Sequence, residues 1–209
     1  MNREPARIRA YRPGDLDDLY RICLQTADSG QDATALFRDP KLPGHVYAAP
    51  YGLFEPSLAF VAEDAAGVGG YIVGALDSGT FGQRLEQDWW PALRARHPAP
   101  PPDLAGPISP QELRALQNIH DPFAAPREVA EPFPSHLHIN LLPRMQGRGT
   151  GQQLIATLLS GLRDRGSPGV HLLVRADNQR AVGFYRHTGF TEVPDTAYIF
   201  TMDLRAPAG

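Results

Sequence analysis

"LPRMQGRGTGQQLI", residues 141–154, passes from an apolar strand end through Gly147, Gly149 and Gly151 into a leucine-containing amphipathic pattern. Glycine is roughly 1 kcal/mol worse than alanine inside a helix, so helix formation does not explain its use here. A strand, a glycine turn and a helix start together present peptide N–H groups that have no intrahelical acceptor. The helix dipole adds about half a positive charge at the same end. With no Cβ at alternate positions an anion can reach that backbone, and phosphate is the natural guest. The plainer alternative is a glycine turn that only lets helix and strand pack closely.

Two common phosphate loops do not fit. The spacing is G-x-G-x-G rather than the G-x-G-x-x-G of dinucleotide folds, and no lysine follows the glycines as a P-loop requires. Outward from the loop, "HLHINLL" (136–142) reads as a strand. A helix over about 149–165 lines up Leu154, Ile155, Leu158, Leu159 and Leu162. "GVHLLVRA" is a short buried strand, and "NQRAVGFYRHTG" a helix with Asn178 as its N-cap and Gly189 just past its end. "FTEV" and "AYIFTMDL" close the chain as strands.

Toward the N-terminus, "ARIRAYRPGD" predicts a strand and turn, with Asp15 capping a helix that carries Leu16, Leu19, Ile22 and Cys23 on one face. "PGHVYAAPYGLFEP" reads as an aromatic, proline-rich loop, and "SLAFVAEDAAGVGGYIVGALD" as a hairpin. From about 78 to 134 runs a long proline-dense insertion with two helices, "GQRLEQDWWPALRARH" and "SPQELRALQNIH", separated by "PAPPPDLAGPI". The class is mixed α/β with a partly antiparallel sheet, organised as one domain over 1–209.

Bulk properties exclude more than they identify. A chain of 209 residues with 42% hydrophobic and 21% charged residues fits one full core. A net charge of -3 gives no reason to expect nucleic acid or a membrane surface as partner. No apolar run approaches the ~20 residues that span a bilayer, and the charged start "MNREPARIRAYRPGD" does not read as a signal peptide. The expectation is a cytoplasmic protein. Cys23 has no disulfide partner, and the seven scattered histidines suggest no metal site.

With Pro143 ahead of it, Gln146-x-x-Gly149-x-Gly151 resembles the Q/R-x-x-G-x-G/A loop of the GNAT superfamily of N-acetyltransferases. Asn178, Ala181, Phe184, Tyr185, Gly189 and Phe190 match that family's N-x-x-A-x-x-F-Y-x-x-x-G-F element, one helix and one strand further on. The resemblance implies a mostly antiparallel central sheet with helices on both faces, the insertion falling between the third and fourth strands. It implies acetyl-CoA as cofactor, held by a core of about 135–204. The diphosphate would lie on Gln146, Gly147, Arg148, Gly149, Thr150 and Gly151, and the pantetheine arm against the backbone of Leu141 and Leu142 and against Asn178. Tyr185 would donate a proton or a hydrogen bond to the coenzyme A sulfur. The layout "YRPGDLDDLYRIC…SGQDAT…LPGHVYAAPY" is similar to bacterial acetyltransferases that resemble the C-terminal domain of eukaryotic O-GlcNAcase. That domain is regarded as having lost its acetyl-CoA site, whereas the loop here is intact, so a catalytically inactive binding module stands as the alternative.

The base is read from the residues. Strand alternation puts His136, His138 and Asn140 on one face of "HLHINLL", where a covered central strand should be apolar. A polar cavity follows, and an imidazole titrating near neutrality could deprotonate an incoming amine. His138 is the first candidate and His136 the second, while His171 reads as structural. Arylalkylamine acetyltransferases of the superfamily carry two histidines on this strand, one position off from these, which inverts the face. The unidentified amine acceptor would be chosen by the aromatic segment (His45, Tyr47, Tyr51, Phe54) and the insertion (Trp89, Trp90, His120, Asp121, Phe123). Those residues would equally suit a homodimer interface.

Overall fold

The computed structural model describes residues 6–100, 108–175, 177–196 and 198–205. Strand β1 (Arg7–Ala10) leads through a 3-10 turn into helix α1 (Leu16–Leu24), which buries Leu19, Ile22 and Cys23. Asp15 does not cap α1. Its carboxylate accepts from Arg9 at 2.7 and 2.8 Å and from the Arg12 N–H at 2.7 Å, so it ties β1 to the turn. The Arg9 bonds hold its pKa below the ordinary carboxylate range despite burial. Burial pushes the Cys23 thiol up to about 12, which suits a packing residue.

The expected aromatic loop is instead two short helices, α2 (Leu42–Tyr47) and α3 (Ala49–Phe54). Pro43 and Pro50 lie in their first turns, where a missing N–H loses no intrahelical bond. Proline therefore starts helices here and does not break them. Strands β2 (Ala59–Asp64) and β3 (Gly67–Ala75) form the expected antiparallel hairpin. Its turn closes at Gly67, whose φ of +88° favours glycine.

The segment after β3 folds as α4 (Ser78–Asp88), α5 (Trp90–Arg96), α6 (Pro110–His120) and α7 (Arg127–Ala130). The one helix expected around Trp89–Trp90 is two, because Pro91 opens a new first turn. Most of "PAPPPDLAGPI" lies outside the described residues. The Trp89 indole donates to the His45 carbonyl at 2.9 Å, and Trp90 is buried, so this segment packs onto α2.

Strand β4 (Ser135–Leu141), helix α8 (Thr150–Arg163), strand β5 (Gly169–Leu173), helix α9 (Gln179–His187) and strands β6 (Thr191–Glu192) and β7 (Ile199–Asp203) complete the chain. Asn178 caps α9 as expected, its side chain accepting from the Ala181 N–H at 3.0 Å. The sheet has seven strands in the order β1-β2-β3-β4-β5-β7-β6. Every neighbouring pair is antiparallel except β4 and β5. One face carries the core built with α1, α2 and the helices after β3; the other carries the core under α8 and α9. Among the described residues no helix is long and apolar enough to cross a membrane.

The parallel pair is where the sheet opens. β4 and β5 pair only at Ser135 with Val170 and His136 with His171, although each strand continues beyond. The two diverge from there toward their C-terminal ends, which leaves a wedge in the middle of the sheet.

Candidate active site

The wedge exposes main chain because of strand parity. The Leu142 N–H donates to the Gly69 carbonyl at 2.9 Å, and bonding alternates along an antiparallel pair. Ile139 and Leu141 therefore turn their backbone groups away from β3 and toward β5. Leu142 departs from expectation, since its carbonyl also accepts, from the Met145 N–H at 2.9 Å. Its backbone is occupied, and the strand groups that face the wedge are those of Leu141 and Ile139.

At the mouth of the wedge the glycines answer two different needs. Gly147 and Gly149 adopt φ of +74° and +75°, a left-handed turn that reverses the chain into α8. Gly151 has ordinary torsions, but a Cβ there would stand 3.1 Å from the Phe184 ring and 3.3 Å from Leu141 Cδ1. It allows α8, α9 and β4 to close together. No described residue accepts from the N–H groups of Gly147, Arg148, Gly149, Thr150, Gly151 or Gln152, the first bond of α8 being Gln153 N–H to Gly149 O. Around Gly147 nothing stands within 4 Å of where a Cβ would be. This is an anion cradle at a helix N-terminus.

Gln146 does not present a free group to that cradle. Its amide nitrogen donates to the Leu141 carbonyl at 2.7 Å and its oxygen accepts from Arg180, so the side chain folds the loop back onto β4. Arg148 is exposed and makes no ion pair with a described residue.

A single cavity of about 1420 Å³ runs from the loop past Asn178 and Tyr185 to the polar face of β4. The Tyr185 ring packs on Phe184, Phe190 and Phe200, and its hydroxyl makes no hydrogen bond to a described residue. Burial pushes its pKa up, so the phenol keeps its proton at neutral pH. Asn178 spends its oxygen on the α9 cap, which leaves its NH₂ for the cavity.

On β4 the three polar residues separate by their partners. Ser78 donates its only proton to the Pro134 carbonyl at 2.7 Å, so it must accept from His136 Nδ1–H at 2.7 Å. His136 Nε2 then accepts from the Tyr51 hydroxyl at 2.8 Å. Both ring nitrogens are committed, and burial holds the ring neutral, well below its ordinary pKa. Asn140 accepts from Tyr71 at 3.0 Å and donates to Thr26 at 2.5 Å. His138 alone makes no hydrogen bond to a described residue; its ring sits 5.7 Å from that of Tyr47 and 5.3 Å from that of Tyr51. His171 is bonded through Nδ1 to the Phe133 carbonyl at 2.6 Å. Ser78, Tyr71 and Thr26 went unnoticed in the sequence, where nothing local marks them.

The expectation that an imidazole here titrates near neutrality is corrected. Burial, with the nearby His171, pushes His138 down to about 4, and burial does the same to His45. Both rings are neutral in the folded chain to lower pH than in the unfolded chain, where they titrate near 6.5. Stability is therefore complete above about pH 6.5 and falls as pH drops toward 4, by about 1.4 kcal/mol per pH unit for each such ring. The melting temperature is expected to fall by several degrees between pH 7.5 and 5; a flat profile in thermal melts would contradict it.

Of the expected specificity residues, Tyr47, Tyr51, Trp90 and Phe123 line the cavity. His45 is instead bonded by the Tyr20 hydroxyl at 2.8 Å, and His120 by the His97 carbonyl at 2.7 Å, so both serve packing. Trp90 is only 3% exposed, while Trp89 is half-buried with its indole N–H bonded to His45. Among the described residues no three His, Cys, Asp or Glu side chains are grouped to hold a metal ion.

Comparison with known proteins places these features. The family model described as Acetyltransferase (GNAT) family matches residues 119–190, from the end of α6 through α9. The crystal structure of SsHAT superposes with a TM-score of 0.84 at 37% identity, covering 96% of this chain and 99% of that one. Protein O-GlcNAcase of Mus musculus is 30% identical over 193 residues, 89% of this chain. Mycothiol acetyltransferase of Pseudarthrobacter chlorophenolicus is 26% identical over 195 residues, 91% of this chain. The chain spans 20% of the length of that O-GlcNAcase and 55% of that acetyltransferase.

Proposed function

The chain belongs to the GNAT family of acetyltransferases, and on that premise we propose that it moves an acetyl group from acetyl-CoA to an amine by direct attack on the thioester. The observation that carries this reading is the run of peptide N–H groups from Gly147 to Gln152 that no described residue accepts, beside a parted strand pair. A diphosphate fits the first, and an extended amide-bearing arm fits the second. Residues 135–204 form the cofactor half of the domain.

The residues have distinct tasks. The loop amides hold the diphosphate, the Leu141 N–H and the Ile139 backbone pair with the arm, and the Asn178 NH₂ steadies it. The thioester then lies between Tyr185 and the face of β4. As the amine nitrogen bonds to the acetyl carbon, its N–H protons become far more acidic, so His138 can accept one although its own basicity is low. Tyr185 gives its phenolic proton to the sulfur as the C–S bond breaks.

Isothermal calorimetry with acetyl-CoA, paired with detection of the thiol released in the presence of an amine panel, tests the proposal. Micromolar binding with amine-dependent thiol release is expected. No heat at millimolar acetyl-CoA would defeat it. The match to O-GlcNAcase favours a second reading, a module that holds the cofactor without transferring the acetyl group; binding without release across the panel would select it.

A further inference from the structure

On the segments that form the cavity, most arginines are already bonded. Arg38 bonds Glu112 at 2.9 Å, Arg94 grips both oxygens of Glu86 at 2.7 and 2.8 Å, and Arg175 grips both oxygens of Asp177. Arg114 on α6 is the exception. It lines the cavity and is only partly exposed, yet its guanidinium makes no hydrogen bond or ion pair with a described residue. The Asp28 carboxylate, close enough to act on Arg114, is bonded by the Gln111 amide at 2.7 Å.

Its position relative to the reacting centre follows from Tyr47. Asn118, one turn along α6 from Arg114, donates to the Tyr47 hydroxyl at 3.3 Å, which puts Arg114 at the hydroxyl end of that ring. The same hydroxyl feels the charges of Arg114 and Arg175. The Tyr47 ring in turn stands against His138. A guanidinium with no partner among the described residues therefore lines the cavity, on the far side of Tyr47 from the proposed proton acceptor. Burial and the adjacent Arg175 charge both disfavour its protonated form, a cost that an anion in the cavity would offset.

We propose that Arg114 binds an anionic group of the acceptor, which makes the acceptor an amine that also carries a carboxylate, several bonds away from its nitrogen. The inference rests on the acetyltransferase reading for the amine and on Arg114 for the acid. A carboxylate fits better than a phosphate dianion, because Asp28 and Asp177 stand near enough to act on Arg114 and would repel a doubly charged group more strongly. Phe37, Val46, Phe81 and Trp90 line the same cavity, so an aromatic or aliphatic body suits the acceptor.

Matched probes separate the acid from the amine: 4-(aminomethyl)benzoate against benzylamine, and 6-aminohexanoate against hexylamine. Each is titrated calorimetrically into the full chain, with and without saturating coenzyme A. The acids are expected to bind at least tenfold more tightly than their neutral partners. Arg114→Met should erase that preference while leaving melting temperature and coenzyme A affinity unchanged, and Arg114→Lys should keep part of it. Acids binding no better than the neutral amines, or a preference that survives Arg114→Met, would overturn the assignment. Acid binding that depends on Arg114, with no thiol released from acetyl-CoA by the same probes in a separate assay, supports it and counts instead against acetyl transfer.

Discussion

Gly149→Asp is expected to fold and to lose acetyl-CoA affinity at least about a hundredfold, roughly 2.7 kcal/mol. Gly149 is the N-cap of α8 with φ of +75°, so any side chain there meets left-handed strain. Aspartate is among the few residues that visit that region, at a cost of roughly 1 kcal/mol. Its carboxylate would stand among the N–H groups that no described residue satisfies, and would both neutralise them and repel a diphosphate. Gly149→Ala carries the same strain without the charge and should cost only a few-fold in affinity. Calorimetry on both variants separates the two contributions. If the aspartate variant bound within a few-fold of the parent, the loop would not be the diphosphate site.

Tyr185→Phe should lower turnover at least tenfold, a barrier increase of about 1.4 kcal/mol or more, with acetyl-CoA affinity nearly intact. The reasoning is local. The hydroxyl has no hydrogen-bond partner among the described residues, so its removal strands no buried group and leaves the packing on Phe184, Phe190 and Phe200 in place. Melting temperature should therefore hardly change, and a lost rate would report on the proton rather than on the fold. Burial, which raises this phenol above its ordinary value, keeps the proton on oxygen until negative charge grows on the sulfur. Steady-state thiol release beside a binding isotherm measures the split. Unchanged turnover would remove Tyr185 from the mechanism.

The parts of the site that the sequence revealed are those built by short stretches of chain. Loop and helix start are contiguous from Gly147 to Thr150, and the Asn178 cap and Tyr185 lie on one short helix segment, so spacing alone reports their geometry. Strand alternation likewise placed His136, His138 and Asn140 on one face. Alternation could not say which of them is free. That depended on Ser78, Tyr51, Tyr71 and Thr26, which reach the strand from distant parts of the chain. The two helices in the aromatic segment are hidden from the sequence for a local reason: each is only six residues long, and its proline occupies a first turn.

By itself, then, the sequence determined the glycine turn, the capped helix after it and the two-fold alternation of β4, because each follows from torsions and hydrogen bonds within a few residues. Only the tertiary structure decided that β4 and β5 part after two residue pairs, that Leu142 is already bonded to β3, that His138 makes no hydrogen bond to a described residue and that Arg114 makes no ion pair with one. Each of those outcomes turns on which groups from separate segments reach a given atom first. A buried polar group is defined by its partners, and partners are chosen by packing in three dimensions.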